Sequence, residues 1–141
     1  MRKETSESDL FELRNYFILG NYQAAINEGS SLSAALEEND RIERDVYIYR
    51  SYIGQGKYKL VIDEIKDSRA HNSLQAVKLL ATYLGNENNR EIALITLKEW
   101  MSDGVAANNP ILQIVGATMY TSEGKYEEAM RCVYQANSLE G

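Results

Sequence analysis

The sequence Gly-Lys-Tyr-Glu-Glu-Ala-Met at residues 124–130 has two close copies earlier in the chain. Gly-Asn-Tyr-Gln-Ala-Ala-Ile occupies residues 20–26, and Gly-Lys-Tyr-Lys-Leu-Val-Ile occupies residues 56–62. In each copy a tyrosine follows the glycine by two residues, and a small or branched apolar residue follows it by five. The segment before each glycine has apolar residues at helical i, i+3, i+4 and i+7 spacing. This pattern predicts a helix, a tight turn with positive φ at the glycine, and a second helix.

The distances between the three glycines indicate a fourth copy. Gly20 and Gly56 are 36 residues apart, whereas Gly56 and Gly124 are 68 apart, which is twice 34. Asn88 lies where the missing glycine is expected, and asparagine adopts the left-handed conformation more readily than most residues. Ala93 follows it by five residues, as the pattern requires. The sequence therefore predicts four units with the period of a two-helix repeat.

The predicted fold is all-α, an α-solenoid of about four helix hairpins in a single domain over residues 1–141. Its four units span 9–36, 42–68, 73–103 and 110–138. The predicted helices are 9–19, 22–36, 42–54, 58–67, 73–85, 90–103, 110–122 and 126–138.

Local signals support two of the helix starts. Asp9 with Glu12 resembles a capping box, and Asn109 followed by Pro110 places an N-cap residue before a proline suited to the first turn. In each hairpin we expect the tyrosine after the turn, such as Tyr126, to pack across the first helix. The small residue, such as Ala129, is expected to let the two helices approach closely.

Charge and hydropathy exclude several classes of function. The net charge is −6, and a nucleic-acid-binding protein usually carries a basic surface, so we expect no nucleic-acid partner. The single cysteine cannot form an internal disulfide, so a reducing compartment is expected. The sequence contains no run of about 18 apolar residues, the length needed to span a bilayer. We therefore expect a cytoplasmic protein that reaches membranes only through other proteins.

No residue pattern indicates catalysis, a metal site or a cofactor. His71 is the single histidine and lies in a polar connection, so it is interpreted as a solvated linker residue. Cys132 lies within a helix and is interpreted as a small buried apolar side chain. Gly54-Gln55-Gly56 follows a helix rather than a strand, which excludes a dinucleotide fingerprint. We therefore predict no enzyme activity, no cofactor and no metal.

The repeat itself resembles the tetratricopeptide repeat, although the tryptophan of its first helix and its closing proline are absent. Three longer strings resemble the epsilon subunit family of coatomer, in the same order and with similar gaps. They are DLFELRNYFILGNYQAAIN at 9–27, ERDVYIYRSYIGQGKYKLVIDEI at 43–65 and LQAVKLLATYL at 74–84. The resemblance is good over about residues 9–103 and weaker over 104–141. Since family members are about twice as long, we expect this chain to be the N-terminal part of a longer one.

The resemblance implies a non-enzymatic structural subunit of the coatomer vesicle coat. Such a subunit would bind the C-terminal region of the alpha coatomer subunit. It would serve transport from Golgi to endoplasmic reticulum and within the Golgi, held on Golgi membranes and coated vesicles through the complex. The alternative is a tetratricopeptide co-chaperone or adaptor that binds short peptides.

The first helices of successive hairpins usually line the concave, ligand-binding side of such a repeat array. Once residues assigned to contacts within each hairpin are set aside, a mainly apolar stripe with two arginines remains on these helices. We predict nine partner-binding residues there: Leu10, Arg14, Phe17, Val46, Arg50, Ile53, Val77, Leu84 and Ile114. Two interpretations stay open, packing against the neighbouring hairpin or a groove for a folded or helical partner. A chain shorter than its family is also expected to self-associate through residues 126–138.

Overall fold

The computed structural model describes residues 2–32, 36–66 and 70–140. These ranges contain eight α-helices, two short 3-10 helices and no strand. The α-helices are α1 (Arg2–Ile18), α2 (Tyr22–Ser31), α3 (Glu38–Gly54), α4 (Tyr58–Glu64), α5 (Asn72–Gly85), α6 (Arg90–Ser102), α7 (Pro110–Ser122) and α8 (Tyr126–Glu140). The 3-10 helices are Glu87–Asn89 and Ala106–Asn108. The predicted class, an all-α solenoid of helix hairpins, agrees with this element content.

The chain forms two compact units, Met1–Val61 and Ile62–Gly141. In the first, α1 packs against both α2 and α3. In the second, α5 packs against α6 and α7, and α7 packs against α8. The prediction of a single domain over the whole chain stays a prediction.

The glycine turns follow the predicted geometry. Gly20, Gly56 and Gly124 have φ values of 78°, 78° and 75°, which L side chains rarely adopt. The residue after each glycine donates its backbone N–H to the carbonyl of the tyrosine four positions before the glycine, at 2.8–2.9 Å. Together with the bond donated by the glycine N–H itself, this is the Schellman arrangement that ends a helix. The predicted role of the repeated glycine is confirmed.

A substitution at Gly124 is expected to destabilise the chain through backbone strain alone, because an added Cβ would meet no atom within 4 Å. We expect Gly124→Ala to reduce the free energy of unfolding by about 1–2 kcal/mol. Gly124→Asn should cost less, since asparagine tolerates the left-handed region. Gly104→Ala is the matched control, because Gly104 also has open space but no positive φ. Urea unfolding measures the difference, and equal midpoints for the two alanine variants would contradict it.

The third turn differs from the prediction for Asn88. No described non-glycine residue has a positive φ, so Asn88 is not in the left-handed conformation. The Asn86 side chain instead accepts a hydrogen bond from the Asn88 backbone N–H at 2.9 Å, and Glu87–Asn89 form a 3-10 turn. A local side-chain acceptor thus turns the chain where no glycine is present.

Four predicted helix ends are wrong by three residues or more. Helix α3 begins at Glu38 rather than 42. Helix α1 begins at Arg2, so Asp9 lies within the helix and is not its N-cap. The preceding residues include no proline or glycine, so nothing stops the helix from extending. Helix α2 ends at Ser31 rather than 36, because Gly29, Ser30 and Ser31 are weak helix formers. Leu32 then continues in extended conformation into the core, while residues 33–35 lie outside the described ranges.

Helix α4 ends at Glu64, before the predicted end at 67. Ile65 and Lys66 are not helical, and residues 67–69 lie outside the described part of the chain. Ile65 is nevertheless buried. The apolar residue at helical spacing therefore indicated a buried position here, although the backbone at that position is not helical.

The start of α7 is confirmed. The Asn109 Oδ1 accepts hydrogen bonds from the backbone N–H groups of Ile111 at 2.8 Å and Leu112 at 3.1 Å, with Pro110 in the first turn. The Asn109 Nδ2 also donates to Ser73 Oγ at 3.1 Å, so the N-termini of α5 and α7 are linked. His71 is exposed, as expected of a linker residue, but its Nδ1 also accepts from the Ser73 N–H and caps α5.

The small residues after the turns lie in the core, as expected. Ala25, Ala93 and Ala129 are all nearly inaccessible to solvent. Tyr126, in contrast, is 64% exposed, so its predicted packing across the first helix is wrong.

Candidate protein-binding surface

The structure separates the nine predicted partner-binding residues by exposure. Leu10, Val46, Ile53 and Val77 are buried, with exposed fractions of 9% or less. These four side chains are core residues of this chain, which agrees with the packing interpretation of the stripe. Arg14, Phe17, Arg50 and Leu84 are half-buried, and Ile114 is 44% exposed. The five accessible residues are therefore the ones a partner could contact.

Three of the accessible residues, Arg14, Phe17 and Arg50, lie on the surface formed by α1 and α3. We call Arg14, Phe17, Glu43, Tyr47 and Arg50 the α1–α3 face. Arg14 and Phe17 lie three residues apart on α1, and the other three follow i, i+4 and i+7 spacing on α3. Because α1 packs against α3, the two rows lie side by side.

At one end of this face, Arg14 and Glu43 form an ion pair within the chain. Arg14 donates through Nε to Glu43 Oε2 at 2.7 Å and through Nη2 to Oε1 at 3.0 Å, a bidentate geometry. The hydrogen bonds to Glu43 raise the pKa of Arg14. Both side chains are more than one third exposed, so the pair contributes at most about 1 kcal/mol to stability. It does, however, use the carboxylate-binding edge of Arg14.

At the other end of the face, Arg50 lies against aromatic rings. The Arg50 Cζ lies 4.5 Å from the Phe17 ring centroid and 6.0 Å from that of Tyr47. Phe17 in turn contacts Tyr47 edge-on, with ring centroids 5.2 Å apart, and Tyr22, with centroids 5.9 Å apart. Burial of the guanidinium among these rings lowers the pKa of Arg50, partly opposed by the nearby Tyr47 and Tyr22.

Glu43 and Tyr47 are components of this face that the sequence interpretation did not include. Their i, i+4 and i+7 spacing with Arg50 was visible in the sequence. What the sequence could not provide was the pairing of α1 with α3, which brings Glu43 to Arg14. The tyrosine was overlooked because it falls outside the repeat positions.

The second unit carries a cleft of about 720 Å³ among α6, α7 and α8. Leu94, Tyr120 and Cys132 are among its apolar lining residues, and charged side chains such as Lys98 and Arg131 also line it. Cys132 is buried, and burial raises the pKa of its thiol. A protonated, buried thiol is a poor nucleophile.

The raised thiol pKa predicts a loss of stability at alkaline pH. Above about pH 8.5 the unfolded thiol loses its proton while the folded thiol keeps it, so the folded state binds more protons and stability falls as pH rises. Burial likewise raises the pKa of Tyr83 and Tyr120, which extends the fall above about pH 10. Urea midpoints followed by Trp100 fluorescence between pH 7.5 and 9.5 should decrease. The decrease should be smaller in Cys132→Ala, and an equal decrease in both proteins would refute the assignment.

The described residues hold neither a metal-binding cluster nor a membrane-spanning helix. There, no group of three or more histidine, cysteine or carboxylate side chains could hold a metal ion. Within the same residues, no helix is long and apolar enough to cross a membrane.

Comparison with known proteins adds a family match along nearly the whole chain. The family model described as coatomer epsilon subunit matches residues 6–141. Coatomer subunit epsilon-1 of Oryza sativa subsp. japonica is 45% identical over 131 residues, which cover 93% of this chain and 44% of that protein. Coatomer subunit epsilon of Dictyostelium discoideum is 42% identical over 141 residues, covering 96% and 47%. The relative from Caenorhabditis elegans, also named coatomer subunit epsilon, is 34% identical over 134 residues. The chain thus spans about half the length of the curated relatives it matches.

Proposed function

Because this chain belongs to the coatomer epsilon subunit family, we propose that it is a non-enzymatic structural subunit of the coatomer coat. In this role it binds the C-terminal region of the alpha coatomer subunit, and it serves transport from Golgi to endoplasmic reticulum and within the Golgi. The observation that carries the proposal is the family match over residues 6–141, which includes all the helix hairpins. It acts in the cytoplasm and reaches Golgi membranes and coated vesicles through the assembled coat.

The accessible part of the predicted stripe supports binding to a folded protein. Phe17 and Arg50 on the first unit combine an aromatic surface with a cation, and aromatic and arginine side chains are enriched at protein interfaces. Leu84 and Ile114 offer apolar surface on the second unit. The buried members, Leu10, Val46, Ile53 and Val77, support the helices that carry these contacts.

Another candidate binding surface lies on the last hairpin, formed by α7 and α8. A cavity of about 340 Å³ is lined by Ala117, Thr121, Ala129, Met130 and Val133. Met130 and Val133 are 53% and 51% exposed, which is unusual for large apolar residues next to each other. A second copy of this chain would cover this apolar surface. Alone, the chain self-associates there, and its size-exclusion volume should decrease as its concentration rises; an unchanged volume would oppose this part of the proposal.

The proposed function is tested in cells by capture of a tagged version of this chain. The alpha coatomer subunit is expected in the captured material, where an antibody against that subunit detects it. The control is the same chain carrying Leu13→Ala, whose core is disrupted. Absence of the alpha subunit from the wild-type capture would count against the proposal.

The alternative, a co-chaperone or adaptor for short peptides, needs several cations and amides clustered on one face to hold a terminal carboxylate. On the α1–α3 face one of the two arginines is already paired with Glu43. Calorimetry with chaperone C-terminal peptides is expected to give no binding; micromolar binding would favour the adaptor.

A further inference from the structure

The α1–α3 face contains two arginines in opposite electrostatic situations. Arg14 is held by a carboxylate of the same chain through two hydrogen bonds, at 2.7 and 3.0 Å. Arg50 makes no hydrogen bond or ion pair with any described residue, and its contacts are with the rings of Phe17 and Tyr47. The two guanidinium groups belong to one face, so the contrast is not a difference between a surface and a core.

The side chain of Arg50 is only partly accessible to solvent. Burial among the rings withdraws water from its guanidinium, which is why its pKa is lowered, and the groups that act on it electrostatically are Tyr47 and Tyr22. A partly desolvated cation without a counter-ion is unfavourable unless an anion can be supplied. Within the described part of the chain no carboxylate fills this place.

The N–H donors of Arg50 are not used by any described residue, since its contacts there are with the aromatic rings. A guanidinium contacts an aromatic ring through its flat face, while its five N–H donors lie in the plane and point outward. Phe17 and Tyr47 thus lie beside the guanidinium without accepting its hydrogen bonds. A carboxylate can approach this edge and accept two parallel hydrogen bonds, the arrangement that Glu43 already makes with Arg14.

We propose that Arg50 is the recognition site for one aspartate or glutamate side chain of the protein that docks on the α1–α3 face. This inference rests on the proposed function and specifies the chemistry of that partner. A single unpaired cation suits a singly charged carboxylate better than a phosphate, which usually recruits several cations. The flanking rings suit a side chain on a folded partner, because they bury apolar surface beside the ion pair.

The test is calorimetric binding of the 141-residue chain to the purified C-terminal region of the alpha coatomer subunit. Arg50→Met keeps an apolar stem over Phe17 but has no charge or donors, and it should weaken binding by at least about tenfold. Arg50→Lys keeps the charge but not the planar fork, so an intermediate loss is expected. In the matched control, Arg44→Gln with Asp45→Asn removes an ion pair of α3 that is not part of the α1–α3 face, without changing the net charge. It should weaken binding by less than about threefold.

Two further readouts separate this inference from the proposed function. Wild-type affinity should decrease as NaCl is raised, and the decrease should be smaller in Arg50→Met, because the ion pair is gone. Circular dichroism and urea midpoints of each variant establish that the helices are intact. If the wild-type chain does not bind, the proposed function fails and takes this inference with it. If the wild type binds and a folded Arg50→Met binds equally well, the inference alone is overturned; wild-type affinity in Arg50→Lys would overturn the two-bond geometry.

Discussion

Leu13→Ala is expected to reduce the free energy of unfolding by about 2–5 kcal/mol, among the largest effects of any single substitution in this chain. Leu13 has no exposed surface and lies in a core cluster with Leu10, Ala25, Leu32 and Leu36. Truncation removes buried methyl groups and leaves a cavity among side chains of α1, α2 and the segment that follows α2. Circular dichroism at increasing urea concentration measures the loss.

Leu19→Ala is the matched control for this experiment. The residue type and the replacement are the same, but Leu19 is 78% exposed and lies in the turn between α1 and α2. Its substitution should change stability by no more than about 0.5 kcal/mol. Similar losses at the two leucines would show that the first core is not where we place it.

Gly116→Ala is expected to lose about 1–3 kcal/mol, although alanine is the better helix former. A Cβ at Gly116 would lie 2.8 Å from Cys132 Sγ and 3.3 Å from Leu97 Cδ1. Both neighbours are buried in a close-packed core, so accommodating the methyl group requires these side chains or α7 itself to move. Trp100 fluorescence during urea unfolding follows this unit.

The cause is tested by repeating the substitution in a Cys132→Ala background. Removing the sulfur opens space for the new methyl group, so Gly116→Ala should cost much less there than in the wild type. Such an interaction between neighbouring sites is what a double-mutant cycle detects. An equal cost in both backgrounds would mean that Cys132 is not the obstacle.

The repeat positions explain why most of the fold was predictable from the sequence. A positive φ is a strict requirement that glycine meets at little cost, so Gly20, Gly56 and Gly124 marked three turns correctly. Asn88 was predicted to adopt a left-handed conformation by analogy with the glycines. The turn is instead stabilised by the Asn86 side chain, which accepts a hydrogen bond from the Asn88 backbone N–H. A local alternative of this kind cannot be recognised from spacing alone.

Helix ends were less predictable, because apolar residues at helical spacing can be buried without being part of a helix. Leu32 and Leu36 continue the four-residue apolar spacing beyond α2, yet Leu32 reaches the core in extended conformation. The capping signal at Asp9 was likewise overridden, since no breaker precedes it and α1 extends to Arg2. Such choices depend on tertiary contacts that a single sequence does not contain.

The exposure and charge pairing of the candidate residues could be predicted only in part from the sequence, and their role in binding stays a prediction. The periodicity placed Phe17 and Arg50 on the first helices of two hairpins, α1 and α3, and in the structure their side chains are in contact. It could not separate them from Leu10 and Val46, because residues on one helix face differ in burial according to how the next helix packs. Nor could it reveal that Arg14 is neutralised by Glu43, 29 residues away.

The central claim, that this chain is a coat subunit that binds the alpha coatomer subunit, is tested most directly by light scattering coupled to size-exclusion chromatography. The purified chain is mixed with the purified C-terminal region of the alpha subunit. The account predicts a single earlier peak whose mass corresponds to both proteins together. Two separate peaks with the masses of the individual proteins, at concentrations well above micromolar, would contradict it.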